Sequence, residues 1–572
     1  MASEMDERPR GDEPVPASGP AADPLDPLGI GKASLGVWQA LAARPDAFVQ
    51  TQMKLATAWM SVAQASTTPP DAPKAPPVIE PARNDSRFKH PAWTENPTLD
   101  ALKQGYLLAT QAMLETIERA PGIDDETRGR VAFFAKQFCD AMSPTNVPFM
   151  NPAVVEETLR SGGRNFQRGA ENVLDDIRDN DGRPALVDKS AFTVGTNVAT
   201  SKGDVVFRNE LIEVIHYAAT TETVHATPLL IVPPWINKFY ILDLQPANSL
   251  IKYATDGGIQ TFVVSWRNPD ASLAHLGFED YLHLGPLAAA DAVRTIASSP
   301  SVNQIGYCIG GTLTAMELAY LAKTDPSLVG AVTFFAALTD FTDAGDIKHF
   351  IGPEARAFTR ERVDRNGVLD ASNMADTFNM LRSNDLIWNV AINRYLLGRD
   401  APAFDLLYWN SDATRLPAKM HREYLENMYA RNALARGELS VAGTRVDLRD
   451  VKNDVYTVAS REDHIAPWRS VYRMTQLFSG DTRFRLGHSG HIAGIINAPG
   501  AKKGKYWASD VNAPDPEAWL AAAEERGGSW WPDWLDWLRE RSGDRVAAPA
   551  APGSAAYPPL AAAPGTYVLE KS

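Results

Sequence analysis

One cysteine, one aspartate and one histidine have the types and local surroundings needed for acyl transfer through a thiol. Cys308 lies in residues 302–313, VNQIGYCIGGTL, where Val302, Gln304, Ile305 and Tyr307 read as a short buried strand and 312–322 as a helix that begins at once. A strand-to-helix bend of G-x-nucleophile-x-G form lifts one side chain above a sheet edge, with glycine where larger side chains would collide. Gly306, Gly310 and Gly311 occupy those places. The residue at the bend sits at a helix N-terminus, whose unpaired N–H groups and positive dipole end favour thiolate over thiol. Taken alone, the same pattern would also house an ordinary buried cysteine, so the downstream partners decide. A cysteine nucleophile needs a base within hydrogen-bond reach and a group that orients the base. Asp463 follows the run VYTVAS in SREDHIAPW, and His491 follows the next strand candidate in LGHSGHIAG. Nucleophile, acid and histidine thus come in the order this bend requires, the last two at the ends of later strands.

The elements that must position these groups can be read from texture. Short β-rich runs at 205–217, 229–232, 260–265, 302–307, 330–335, 454–459 and 483–486 alternate with helical stretches such as 286–297 and 312–322. That alternation predicts βαβ units and a mostly parallel sheet. The fold class expected is α/β: an α/β-hydrolase fold catalytic domain over 191–545, with a helical, aromatic insertion at about 340–448 as a cap, preceded by an α-helical N-terminal domain over 31–190. Residues 1–30 are acidic and Pro/Ala-rich and are expected to be a disordered tail. A Pro-rich linker is expected near 67–83, and an extended C-terminal tail over 546–572. In the N-terminal domain Val49, Met53, Trp59 and Met60 recur at helical spacing, as do Val131, Phe134, Phe138 and Met142. Their aromatic and methionine side chains are expected in the core, the alternative being an interaction face. SWWPDWLDWLRE at 529–540 predicts a Trp-rich helix docked on the core rather than an exposed apolar patch. Cys139 lies in a periodic run with no glycine bend and reads as structural.

Composition narrows the function further. Lys and Arg number 56 against 70 Asp and Glu, a net charge of −14, so no nucleic-acid partner is expected. Two cysteines far apart exclude a disulfide framework and fit a reducing compartment. No apolar run reaches the roughly 18 residues of a transmembrane segment, and the acidic, Pro-rich start is not signal-like. The expected location is the cytoplasm. His488 and His491 stand three apart, but no clustered third ligand accompanies them, so no metal is expected. Neither a phosphate-binding loop nor a dinucleotide fingerprint is present, so no cofactor is expected.

GYCIGGT, VPPWINKFYILDL (232–244), SWRNPD (265–270), REDHIAPW, SGHIAGIINAP and the ending APGTYVLEK together resemble the polyhydroxyalkanoate synthases, from about Asn151 to the end. The form of the cysteine box is similar to that of the class I enzymes. The resemblance implies polymerisation of short-chain 3-hydroxyacyl-CoA such as 3-hydroxybutyryl-CoA into polyester, with Cys308 acylated, His491 as base and Asp463 orienting it. CoA is then part of the substrate and is released. Backbone oxyanion donors would be Ile309 and, from the Trp235–Ile236 loop, Ile236. His464 and Asp243 are candidate supporting groups, His464 being equally readable as structural. Trp235 and His488 depart from the family pattern and bear on pocket shape. The implied partners are the growing polyester chain and granule surface, a second copy in a homodimer, and granule-coat proteins as further candidates. Two rivals remain: a hydrolase of thioesters or of the polyester, against which the cysteine argues, and a granule-coating protein, against which the complete triad argues.

Overall fold

The computed structural model describes residues 23–66, 76–83, 85–500 and 504–571. Eleven strands form one mixed sheet among these residues. In chain order they are β1 (Gly203–Arg208), β2 (Ile212–Tyr217), β3 (Leu229–Val232), β4 (Thr261–Trp266), β5 (Val302–Tyr307), β6 (Val329–Phe335), β7 (Val455–Ser460), β8 (Thr482–Gly487), β9 (Lys505–Ala508), β10 (Glu524–Gly527) and β11 (Ala561–Ala562). The spatial order is β10-β9-β8-β7-β6-β5-β3-β4-β2-β1-β11. From β4 through β3, β5, β6 and β7 to β8 every pairing is parallel; the flanking strands pair antiparallel.

Period-two alternation explains the two cores. Along β3, Leu230 and Val232 face one hydrophobic cluster and Leu229 and Ile231 the other, as expected of a central parallel strand covered on both faces. The expected single run at 205–217 is instead a hairpin. Asn209 breaks it, its side-chain oxygen accepting from Leu211 N and Ile212 N, each at 2.8 Å, a local bond that competes with strand pairing.

The N-terminal part is helical: α1 (Ile30–Ala43), α2 (Pro45–Ser66), α3 (Pro97–Glu118), α4 (Asp125–Ala141), α5 (Pro152–Ser161) and α6 (Arg164–Asp179). Start signals are local. Pro97 opens α3, and the Asn96 side chain accepts from Thr98 N and Leu99 N. Of the segments expected to lack structure, residues 1–22 and 67–75 lie outside the described residues; 23–29 form turns and Ile30 already begins α1. The expectation that the N-terminal apolar residues are core holds for Val131 but not for Val49, Met53, Trp59, Met60, Phe138 and Met142, which are exposed. Within a single chain, α2 packs against α3 and leaves its other face uncovered. Cys139 is buried on α4, its Sγ 3.6 Å from Met113 Sδ, and burial pushes its thiol up.

Between β6 and β7 the chain leaves the sheet for a largely helical excursion. This excursion is tied to α6: Asp176 accepts two bonds from Arg394, at 2.8 and 2.9 Å, and one from the Tyr395 hydroxyl at 2.9 Å. Gly169 allows the approach, since a Cβ there would lie 1.9 Å from the Tyr395 carbonyl oxygen. After β10, a helix at Trp531–Arg539 buries Trp531, Trp534 and Trp537, with Trp530 just ahead of it. The last residues are not a free tail: β11 pairs with β1, and Tyr567–Leu569 forms a 3-10 turn over the sheet.

The helix after Cys308, α7 (Ile309–Thr324), carries a fully buried acid. Glu317 has one bond, from Gln304 Nε2 at 3.1 Å, and its second oxygen has no partner among the described residues. Burial pushes its carboxyl up to about 8, the Gln304 bond pulling the other way. In the unfolded chain the group ionises near the ordinary glutamate value, so the protein binds the extra proton when folded. Stability is therefore greatest below that ordinary value and is lost as pH rises through it towards about 8. Glu317→Gln should raise the melting temperature at pH 8, by the equivalent of a few kcal/mol, and the gain should vanish near pH 4.5, the ordinary value. Thermal melts of both proteins across that range are the check, an equal gap at both ends being the contrary result.

Candidate active site

Cys308 stands between β5 and α7 with φ 54° and ψ −125°. Such a backbone is unfavourable for any residue with a Cβ, by about 1–3 kcal/mol, and persists because its surroundings over-determine it. Cys308 N donates to Phe335 O at 2.9 Å, and Cys308 O accepts from Gly311 N and Thr312 N at 2.9 and 3.2 Å. The glycines are required by contact. A Cβ on Gly306 would lie 2.6 Å from Gly311 Cα, and one on Gly310 would lie 2.4 and 2.6 Å from the Val232 and Pro233 carbonyl oxygens. The first turn of α7 therefore presses against the end of β3. Ile309 is set beside the 233–238 loop, and N–H groups of a first helical turn lack acceptors inside the helix.

The other two groups complete a relay. His491 Nε2 lies 3.3 Å from Cys308 Sγ, and His491 Nδ1 lies 2.6 Å from Asp463 Oδ2. Asp463 Oδ1 accepts from Ile465 N and Ala466 N, both at 2.9 Å, so the carboxylate cannot rotate away. Burial pulls His491 down, but the Asp463 carboxylate and the Cys308 sulfur outweigh it and hold the imidazole well above the ordinary histidine value. The loop carrying His491 is braced from below by tryptophans: Trp530 Nε1 donates to Gly494 O at 3.0 Å and Trp531 Nε1 to Ile495 O at 2.9 Å. Two backbone bonds, Arg461 N to Gly487 O and Glu462 N to Ser489 O, both 2.9 Å, stitch it to the Asp463 loop. A sulfur, a proton carrier and a fixed carboxylate in line at a helix N-terminus can accept an acyl group from a thioester and shuttle the proton of the leaving thiol.

The remaining candidates divide. His464 is beside Asp463 but joins no bond of the relay; its Nδ1 is buried without a partner among the described residues, and burial lowers it to about 4. Its ring is therefore neutral near pH 7. Asp243 is occupied elsewhere, accepting from the hydroxyls of Ser201 and Ser249, both at 2.6 Å, which fastens the 199–201 loop rather than the relay. The Trp235 indole is fully buried against Trp266, Phe278 and Tyr281, beneath the loop. His488 lies by Trp507, ring centroids 6.5 Å apart.

Sequence reading placed Tyr424 and Tyr429 in the cap without bringing them to the site. The two rings meet 5.6 Å apart, and Phe341 packs on both at 6.0 and 4.9 Å. Both phenols are pushed up by burial, with the negative charge Cys308 can carry adding to it. Residues five apart do not share a face of an α-helix. They do here because Leu425–Ala430 is a π-helical turn, a widening that a 3.6-residue period cannot reveal.

A mostly parallel, helix-covered sheet with a nucleophile elbow and an acid–histidine pair on later strand ends defines an α/β-hydrolase-fold enzyme. A family profile described as alpha/beta hydrolase fold matches residues 227–498, and one described as Poly-beta-hydroxybutyrate polymerase (PhaC) N-terminus matches residues 84–254. The Poly(3-hydroxyalkanoate) polymerase of Methylorubrum extorquens is 44% identical over 531 residues, 92% of this chain and 88% of that protein. The polymerase subunit PhaC of Rhizobium meliloti is 42% identical, over 85% of this chain and 80% of its own. Among solved structures, Paleococcus ferrophilus monoacylglycerol lipase aligns at TM-score 0.33 and 13% identity, over 58% of this chain and 100% of that one. The chain belongs to the poly(3-hydroxyalkanoate) polymerase family, enzymes of acyltransferase type. Among the described residues no group of three or more His, Cys, Asp or Glu side chains is placed to hold a metal ion, and no helix is long and apolar enough to cross a membrane.

Proposed function

We propose that this chain polymerises short (R)-3-hydroxyacyl-CoA into polyester through an acyl-enzyme on Cys308. The observation that carries the reading is the continuous Cys308–His491–Asp463 relay within a chain of this family. The Cys308 thiolate attacks the thioester carbonyl, and the Ile309 and Ile236 N–H groups receive the oxyanion. The carbon–sulfur bond to CoA then breaks, and CoA leaves as a thiol with the proton held by His491. In elongation His491, oriented by Asp463, takes the proton of a bound hydroxyl, whose oxygen attacks the next acyl thioester and expels its thiol. Exchange between thioesters is nearly balanced, so the chain stays transferable. No resident cofactor is needed. Phe341, Tyr424 and Tyr429, packed against one another, are suited to exclude water, which would end the chain.

The same aromatic side chains support a short acyl range, whereas the Trp235 indole is directed into the core. Activity should be highest with acyl groups of about four or five carbons and fall steeply at about eight or more. One assay, thiol release together with insoluble polymer across acyl-CoA lengths, tests both points. Equal rates with 3-hydroxydecanoyl-CoA would overturn the length preference. Release of CoA with free hydroxy acid and no polymer would make the protein a hydrolase. The uncovered apolar side chains of the N-terminal helices support a homodimer and attachment to polyester granules in the cytoplasm, granule-coat proteins included as partners.

A further inference from the structure

The loop that follows β3 is held from outside by the last residues of the chain. Its carbonyls are taken one by one: Pro233 O by Trp266 Nε1 at 2.9 Å, Trp235 O by the Thr414 hydroxyl, Ile236 O by Thr414 N at 3.1 Å, and Lys238 O by Trp409 Nε1 at 2.6 Å. The Lys238 side chain runs the opposite way. Only 3% exposed, it donates to Glu570 O at 2.7 Å and reaches Tyr567 O at 3.5 Å, bonding to carbonyls rather than to a carboxylate. The segment it grips is anchored twice more. Glu213 on β2, wholly buried, accepts from Thr566 N, the Thr566 hydroxyl and Tyr567 N at 2.9, 2.8 and 3.1 Å, and Glu570 Oε2 accepts from Asn268 N at 3.0 Å. An ammonium withdrawn from water with no carboxylate at ion-pair distance among the described residues is unfavourable in itself. What it achieves is rigidity at the residue after next to an oxyanion donor.

We propose that Lys238 is a positioning residue for acyl transfer, coupling the chain end 566–571 to the loop 235–238 so that the Ile236 N–H stays aimed at the oxyanion formed above Cys308. This rests on the acyl-transfer reading given above. Donors stabilise a transition state only if fixed beforehand, a lost donor costing about 10²–10³ in rate and a 1 Å misplacement about 10². A loosened loop should therefore slow the first chemical step while leaving substrate binding and the Cys308–His491 pair intact.

The test compares the full chain with Lys238→Met, Lys238→Arg and a truncation after Leu569, using rapid-mix CoA release from 3-hydroxybutyryl-CoA and, separately, the rate of Cys308 alkylation by iodoacetamide. Lys238→Met and the truncation should each slow the first CoA release about 10- to 100-fold at saturating substrate, with KM nearly unchanged. Alkylation should proceed as in the unaltered protein. Lys238→Arg should recover most of the rate, and combining Lys238→Met with the truncation should add little, because both cut one connection. An unchanged first release in both variants overturns the proposal. So does a parallel fall in alkylation, which would mean that the relay, not the loop, depends on Lys238. Absence of CoA release from the unaltered protein would instead overturn the acyl-transfer reading itself.

Discussion

Cys308→Ala should abolish both CoA release and polymer formation, by a factor on the order of 10⁵ or more, while the protein stays folded. The strained backbone at the bend is imposed by Phe335, Gly311, Thr312 and the glycine contacts, none of which involves the sulfur. Alanine keeps the Cβ that the bend already accommodates, so the change in stability should stay within about 1 kcal/mol. The large effect is chemical: the variant loses the sulfur that Nε2 of His491 faces. Cys308→Ser should also be severely impaired, since a hydroxyl is a far weaker acid than a thiol and an oxygen ester is a poorer acyl donor. Thiol titration during turnover, beside a melting curve for each variant, measures both sides. Substantial turnover by folded Cys308→Ala would remove this residue from the mechanism.

Asp463→Asn should separate the first acylation from elongation. The two backbone N–H groups of Ile465 and Ala466 both donate to Oδ1, so an asparagine must place its carbonyl oxygen there and turn its NH₂ towards His491. Nδ1 then has to accept, and the ring proton moves to Nε2, facing Cys308. A histidine of that tautomer can donate a hydrogen bond to a thiolate but cannot take a proton from a hydroxyl. Thiols ionise appreciably near neutral pH and are strongly nucleophilic, whereas a hydroxyl needs a well-oriented base. The variant should release roughly one CoA per active site quickly and then turn over more slowly by a factor on the order of 10³. Rapid-mix CoA release with trapping of the Cys308 acyl-enzyme measures both phases. Loss of burst and steady rate in equal proportion would mean that Asp463 serves the two steps alike.

The parts of the site legible in the sequence are those written into a few consecutive residues. The bend at Cys308 needs glycine at 306, 310 and 311, and each is needed for a contact within one strand and one helix or with the strand end beside them. The helix starts at Asn96 and Asp124 are equally local. What escaped depends on partners distant in sequence or on a departure from regular period. Tyr424 and Tyr429 meet across a π-helical turn, and the hairpin at Asn209 replaces a single long strand through one side chain. Asp243 looked available for the site but is occupied by Ser201 and Ser249. Trp235 looked like a pocket wall but packs into the core. The apolar faces of α2 and of the end of α4 have core-like spacing, and periodicity does not say whether a face has anything to pack against.

The amino-acid sequence by itself determined that this protein carries a cysteine at a glycine bend, an acid and a histidine in the matching order, and a mostly parallel α/β scaffold to hold them, because residue type, spacing and strand or helix period are local properties. Only the tertiary structure decided how those groups are held. Trp530 and Trp531 brace the histidine loop, Phe341 packs on Tyr424 and Tyr429, and the chain end fastens the loop after β3. Those contacts join segments far apart along the chain, and they form only because the folded sheet brings its strand ends, the excursion after β6 and the residues at 566–571 together. No local pattern encodes that meeting.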